Sequence, residues 1–122
     1  MTKREVEKIL KRYPFVTRAI KIGKPQAVFY IGNRKKVIDI TDETKTVCEL
    51  IEIVYNEEKD ANIKFMIKEL RLGANDTYIM ERIHCSKNAY YSRKAAFIGK
   101  VFNLCISRNI VTFEEILTER IA

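Results

Sequence analysis

The sequence predicts a mainly α-helical chain with a small β-hairpin in its N-terminal third and a helix-turn-helix bundle at its C-terminal end. Three observations predict this. Apolar residues recur at helical spacing over most of the chain. Residues 18–41, "RAIKIGKPQAVFYIGNRKKVIDIT", instead turn rich in Val, Ile, Phe and Tyr, broken by Gly23, Pro25 and Gly32-Asn33. Finally, Gly73 and Ser86, thirteen residues apart, bracket a short helix with an apolar face, and a long periodic helix comes after it.

Taken in order, Thr2 caps an opening helix with Glu5 at capping-box spacing, and Val6, Ile9 and Leu10 line one face. Tyr13-Pro14 is expected to end that helix, since the residue before proline resists the α conformation. Strands at about 26–31 and 36–40, joined around "GNRK", make the hairpin. Two strands alone are marginal in water, so this hairpin must pack on helices or meet a partner. From Asp42 the helical period resumes, with Val47, Leu50, Ile51, Val54 and Tyr55 in one stripe. "NEEKD" either interrupts this helix or forms its polar end. Ile63, Met66, Ile67 and Leu70 form the next stripe, which stops at "RLGAND", where Gly73 suits a left-handed C-terminal position. Asn75 or Asp76 caps "TYIMERI", His84-Cys85 makes the turn, and Ser86 caps a helix from 87 to about 107. "TFEE" at 112–115 is a further capping box before Ile116 and Leu117. The expected division is 1–58, with the basic helix, hairpin and acidic helix, and 59–122, with the helix-turn-helix.

A chain of 122 residues with 47% hydrophobic and 32% charged residues suits one compact domain, or a small domain with an arm. No apolar run approaches the roughly 18 residues of a membrane span, and "MTKREVEKIL" is too charged for a secretory signal. Cys48, Cys85 and Cys105 are odd in number, far apart and set among apolar neighbours, which predicts buried reduced thiols in a cytoplasmic protein. Charge is unevenly placed. Residues 1–36 carry eleven Lys or Arg against two acids, residues 37–81 carry five against eleven, and residues 82–113 carry six and no acid. Two basic blocks around an acidic one predict a polyanion-binding face with a distinct counter-face; ordinary solvated lysines are the plainer account.

The acid-free block holds most of "ERIHCSKNAYYSRK", residues 81–94. A helix entering the major groove of duplex DNA needs small or polar residues on its first turns and an apolar back. Here Ile79, Met80, Ile83, Tyr90 and Phe97 supply the back. Lys87, Asn88, Tyr91, Ser92 and Ala95 point outward after the Ser86 cap, with Arg93 and Lys94 on the flanks. Asn88 suits paired bonds to adenine, Lys87 suits guanine or phosphate, and Arg93 suits phosphate. Thr77 joins the DNA-contact set, while Arg82, His84, Lys100 and the "RKK" of Arg34, Lys35 and Lys36 are candidates for the phosphate backbone. Tyr91 either faces outward or joins Tyr90 in the core. Ser86 caps its helix whatever the function.

The segment "IKELRLGANDTYIMERIHCSKNAYYSRKAAFIGKVF" resembles the DNA-binding region 4 of bacterial sigma factors, in which a serine caps the recognition helix thirteen residues after a glycine. Within it, "SKNAYYSRK" is similar to the "SRSTYYR" recognition helices of small phage transcriptional regulators of the RinA and ArpU type. The resemblance covers about residues 60–105. It implies a regulator of promoters in a phage or mobile-element programme, with double-stranded DNA as partner and RNA polymerase as a second one; no cofactor is expected. Two departures stand out: Ile79-Met80 replaces the usual Ile-Ala pair, and Lys87 replaces the arginine after the cap, which weakens bidentate guanine reading.

Other classes fit less well. A protein-interaction module could use the acidic 42–60 helix or the basic hairpin. A nuclease needs clustered carboxylates for metal, and only Asp39, Asp42 and Glu43 lie near the hairpin. There is no GxxxxGKS, no HExxH, and a single histidine, so a non-enzyme is expected. His84-Cys85 lacks further ligands at metal-binding spacing. Since readers of palindromic sites are often dimeric, the exposed part of the long helix beyond Ile98 is a candidate homodimer contact.

Overall fold

The computed structural model describes the backbone of residues 1–121 and the side chains of residues 1–118. In chain order the described elements are α1 (Lys3–Lys11), α2 (Tyr13–Lys21), β1 (Gln26–Ile31), β2 (Arg34–Asp39), α3 (Asp42–Glu57), α4 (Ala61–Arg71), α5 (Asp76–Ile83), α6 (Lys87–Ser107) and α7 (Phe113–Ile121). The fold is therefore mainly helical, with an antiparallel hairpin in the N-terminal third and a helical bundle after it.

The Thr2 hydroxyl oxygen accepts the Glu5 N–H at 3.1 Å and starts α1, whose Val6, Ile9 and Leu10 are buried. The helix stops at Lys11, close to the expected place. Residues 13–21 correct the sequence expectation, because they form a second helix instead of running into extended chain. Arg12 leaves the helical region at φ −114°, and Pro14 sits at the second helical position, where its missing N–H forfeits no intrahelical bond. Proline here restarts a helix in a new direction. Tyr13, Val16 and Ala19 form its buried face.

The hairpin loop is Gly32-Asn33, and Gly32 at φ 60° supplies the positive angle that a two-residue loop needs at its first position. With so short a loop, pairing starts at Ile31↔Arg34. The second strand is therefore Arg34–Asp39 and not 36–40, and Arg34, Lys35 and Lys36 lie in the ladder, not in the turn. Ala27, Phe29 and Ile38 are buried on the helix side, with Phe15 of α2 stacked on Phe29 at 5.3 Å between ring centres. This satisfies the need of a lone hairpin for a support.

Thr41 and Thr44 form a reciprocal cap on α3, and the buried Thr44 hydroxyl donates to the Asp39 carbonyl at 3.0 Å, joining hairpin to helix. The chain leaves the helix at Glu58, and Asp60 caps α4 through the N–H groups of Asn62 and Ile63. The Gly73 N–H donates to Leu70 and the Ala74 N–H to Glu69, with Gly73 at φ 84°, a Schellman ending.

α6 packs against α1 and α3, and α4 against α5 and α1. One hydrophobic core results, drawing Val6, Leu10 and Ile51 from one side of residue 58 and Met66, Tyr90 and Val101 from the other. The Met1 amino group pairs with Glu115 at 2.8 Å and ties α7 back onto the bundle. Cys48 and Cys105 are buried, but Cys85 is only partly so, which corrects the expectation for that thiol: it stands in the turn before α6, packed against the rim of the core. Burial pushes the Cys48 thiol up to about 12 and that of Cys105 to about 11, so both stay protonated and inert. No helix among the described residues is long and apolar enough to cross a membrane.

Candidate nucleic-acid interface

Three residues, His84 to Ser86, separate α5 from α6. The Asn75 side chain, not Asp76, caps α5 by accepting the Tyr78 N–H at 2.8 Å. At the other end His84 takes the left-handed conformation, φ 51° and ψ 51°, and lets the Cys85 N–H reach back to the Met80 carbonyl at 3.2 Å. Ser86 Oγ then accepts the Ala89 N–H at 3.2 Å and opens α6. Ile79, Ile83, Tyr90 and Phe97 are buried behind this turn and Met80 is half-buried, so the expected apolar back is assembled.

Asp76, the first residue of α5, ties the two helices together. Its carboxylate accepts the Tyr90 hydroxyl at 2.5 Å, the Lys94 ammonium at 3.1 Å and the Tyr91 hydroxyl at 3.3 Å. Desolvation alone would raise the Asp76 carboxyl, but the Tyr90 and Lys94 hydrogen bonds and the Lys94 charge outweigh it and hold the group below its usual range. The carboxylate is therefore ionised at neutral pH. Burial, and then Asp76, push the Tyr90 hydroxyl upward, so it remains the donor.

Thr77, Ser86, Lys87, Asn88, Ser92 and Arg93 are all exposed, and Tyr91 retains 41% of its surface. Of the two positions open to Tyr91 in the sequence, it takes the outward one, while Tyr90 is fully buried. Lys94 differs from its neighbours. Its side chain is only 17% exposed and is engaged by Asp76, so it serves the joint between helices before any outside group. Arg82 is exposed with its guanidinium 5.1 Å above the Tyr78 ring, and His84 and Lys100 are exposed. Lys100 lies thirteen residues beyond Lys87, roughly 20 Å along the helix at about 1.5 Å per residue. Arg34, Lys35 and Lys36 are exposed on β2.

A cavity of about 360 Å³ is lined by Glu7, Lys11 and Arg12 from α1 and its end, and by Asp76, Tyr91 and Lys94 from α5 and α6. The first basic block thus reaches the front of α6. Sequence reasoning missed Asp76, Lys11 and Arg12 as members of this region. The available signal for Asp76 was the buried helix face shared by Tyr90 and Lys94, which requires an acceptor from another element. For Lys11 and Arg12 there was none, since nothing local places α1 against α5. Among the described residues no group of three or more His, Cys, Asp or Glu is placed to hold a metal ion. Comparison with protein-family models, curated proteins and solved structures finds no match to this chain.

Proposed function

We propose that the chain is a sequence-specific double-stranded DNA-binding protein that regulates transcription, with the front turns of α6 lying in the major groove. The observation that carries this reading is the exposure of Lys87, Asn88, Tyr91, Ser92 and Arg93 on the first turns of a capped helix that contains no carboxylate. A groove about 12 Å wide admits such a helix, and its N-terminal partial positive charge favours approach to phosphate. The nearby acid Asp76 is already matched by Lys94 and two tyrosine hydroxyls. Under this reading Asn88 pairs with an adenine edge and Lys87 with guanine or a phosphate. Arg93, Arg82, His84 and Lys100 meet phosphates, and Thr77 and Ser92 are shorter polar contacts. The likeness to sigma region 4 and to phage regulators extends the proposal to a cytoplasmic regulator in a phage or mobile-element programme. It adds RNA polymerase, and a second copy of the chain, as further partners.

The test begins with selection of bound fragments from random duplex DNA. Lys87→Ala with Asn88→Ala should then erase preference for the selected site while leaving affinity for random duplex within a few-fold. Full discrimination by that double variant would remove α6 from the groove.

A second reading, a protein-docking module without base reading, draws on the hairpin, where Val28, Tyr30, Ile31 and Val37 are exposed. Retention on RNA polymerase with no retention on any duplex would favour it over the first.

A further inference from the structure

We propose that a slot between α1 and the outer end of the hairpin docks an acidic, aliphatic-bearing segment of a partner protein. The strand register creates the slot. Phe29 pairs with Lys36 and Ile31 with Arg34, so these four share the hairpin face that looks toward the helices. Ala27, Phe29 and Ile38 on that face are buried, yet Ile31 is 48% exposed and Lys36 is exposed. The hairpin therefore overhangs its support.

Beneath the overhang lies a space of about 290 Å³. Lys8, Lys11 and Arg12 form one wall, Lys36 the other, and Ile31 lines it with Phe29; Val37, which pairs with Val28 on the opposite hairpin face, borders it from the strand. Among the described residues no carboxylate lines it; Glu5, Asp39 and Glu43 line the neighbouring hollow on the far side of Lys8 and Val37. Four cations line the slot while Glu7 lines only the adjoining cavity and Glu5 only the neighbouring hollow, a net positive lining that calls for an anionic occupant, and uncovered aliphatic side chains call for one that also carries apolar groups.

Nucleic acid meets only the first demand. The Phe29 ring is already covered by Phe15 at 5.3 Å and by the Arg12 guanidinium at 4.9 Å, which leaves it no free face for a base. Duplex phosphates bring nothing to cover Ile31 and Val37. A peptide with carboxylates flanking leucine or a similar side chain meets both demands, placing the acids against the lysines and the aliphatic group against Ile31 and the bordering Val37. The slot stands apart from Lys87 and Asn88, so the inference does not depend on how α6 is used.

The experiment is a methyl-detected NMR titration of the full chain with a synthetic glutamate-rich peptide bearing spaced leucines. The Ile31 and Val37 methyl resonances should shift. Ile31→Ser with Val37→Ser should weaken binding roughly tenfold, as should replacing the peptide's leucines by serine. Since both side chains are partly exposed, the double variant should keep its unfolding midpoint; Lys8→Gln with Lys36→Gln, which leaves the apolar residues in place, should weaken binding as well. Equal binding of the leucine-free peptide, shifts located elsewhere, or no binding would overturn the proposal. So would an oligothymidine that shifts the same methyls with equal affinity, or a response traced to self-association of the chain. None of these results bears on base discrimination by Lys87 and Asn88.

Discussion

Asp76 decides how much of the front of α6 is free to act. By accepting from Tyr90, Tyr91 and Lys94 it removes one cation from the outward set and fixes the distance between α5 and α6. Truncation leaves the buried Tyr90 hydroxyl without its acceptor, so Asp76→Ala should lower stability by about 1–3 kcal/mol in urea unfolding. The acid limb provides a second readout. The folded carboxyl titrates below its ordinary value, so its contribution is complete above the unfolded pKa of about 3.9 and is lost as pH falls through the folded one. Wild type should therefore lose stability relative to Asp76→Ala only below about pH 4, and the two should run parallel at neutral pH. Little of this was legible from residues alone. The sequence offers Asp76 as a helix cap, and its actual partners lie 14, 15 and 18 positions away.

At the scale of elements, two glycines separate backbone need from packing need. Gly73 sits at φ 84°, and a Cβ there would meet Pro14 only at an ordinary 3.7 Å. Its role is conformational, to close α4 and aim α5. Gly99 lies within α6, and no described neighbour stands within 4 Å of the Cβ it lacks. Gly99→Ala should therefore raise stability by about 0.5–1 kcal/mol, whereas Gly73→Ala should lower it by about 1 kcal/mol, both measured by chemical denaturation. Gain at residue 73 or loss at residue 99 would contradict this division. Most elements were visible in the sequence because a capping side chain and an apolar stripe are local features. α2 was not, since Tyr13-Pro14 read as a stop and residues 18–41 as a stretch rich in strand formers. Packing of Tyr13, Val16 and Ala19 on neighbouring elements outweighs that preference.

For the molecule as a whole, folding rearranges the charge pattern. Basic α1 lies across the bundle, with Lys11 and Arg12 lining both the cavity beside Tyr91 and the slot beneath the hairpin. Arg34, Lys35 and Lys36 project from a paired strand and not from a loose turn, so their positions are fixed, with Arg34 and Lys36 on one face and Lys35 on the other. If they neutralise phosphates, reversing all three to glutamate should weaken binding to every duplex about equally. It should also flatten the dependence on salt, by nearly 0.9 on a log–log scale for each phosphate no longer neutralised. Weakening confined to one sequence would place these residues in base reading instead.

Local chemistry written in the sequence determined where most helices start and stop, that the two strands pair, and which turns of α6 carry polar side chains. Each of these depends on neighbours within a few positions, through capping bonds, periodicity and turn geometry. Only the tertiary structure decided that Lys94 is held by Asp76, that Cys85 is less covered than its fellow thiols, and that the hairpin overhangs α1. These depend on which distant surfaces exclude water together, and that is settled by the shape of the shared core.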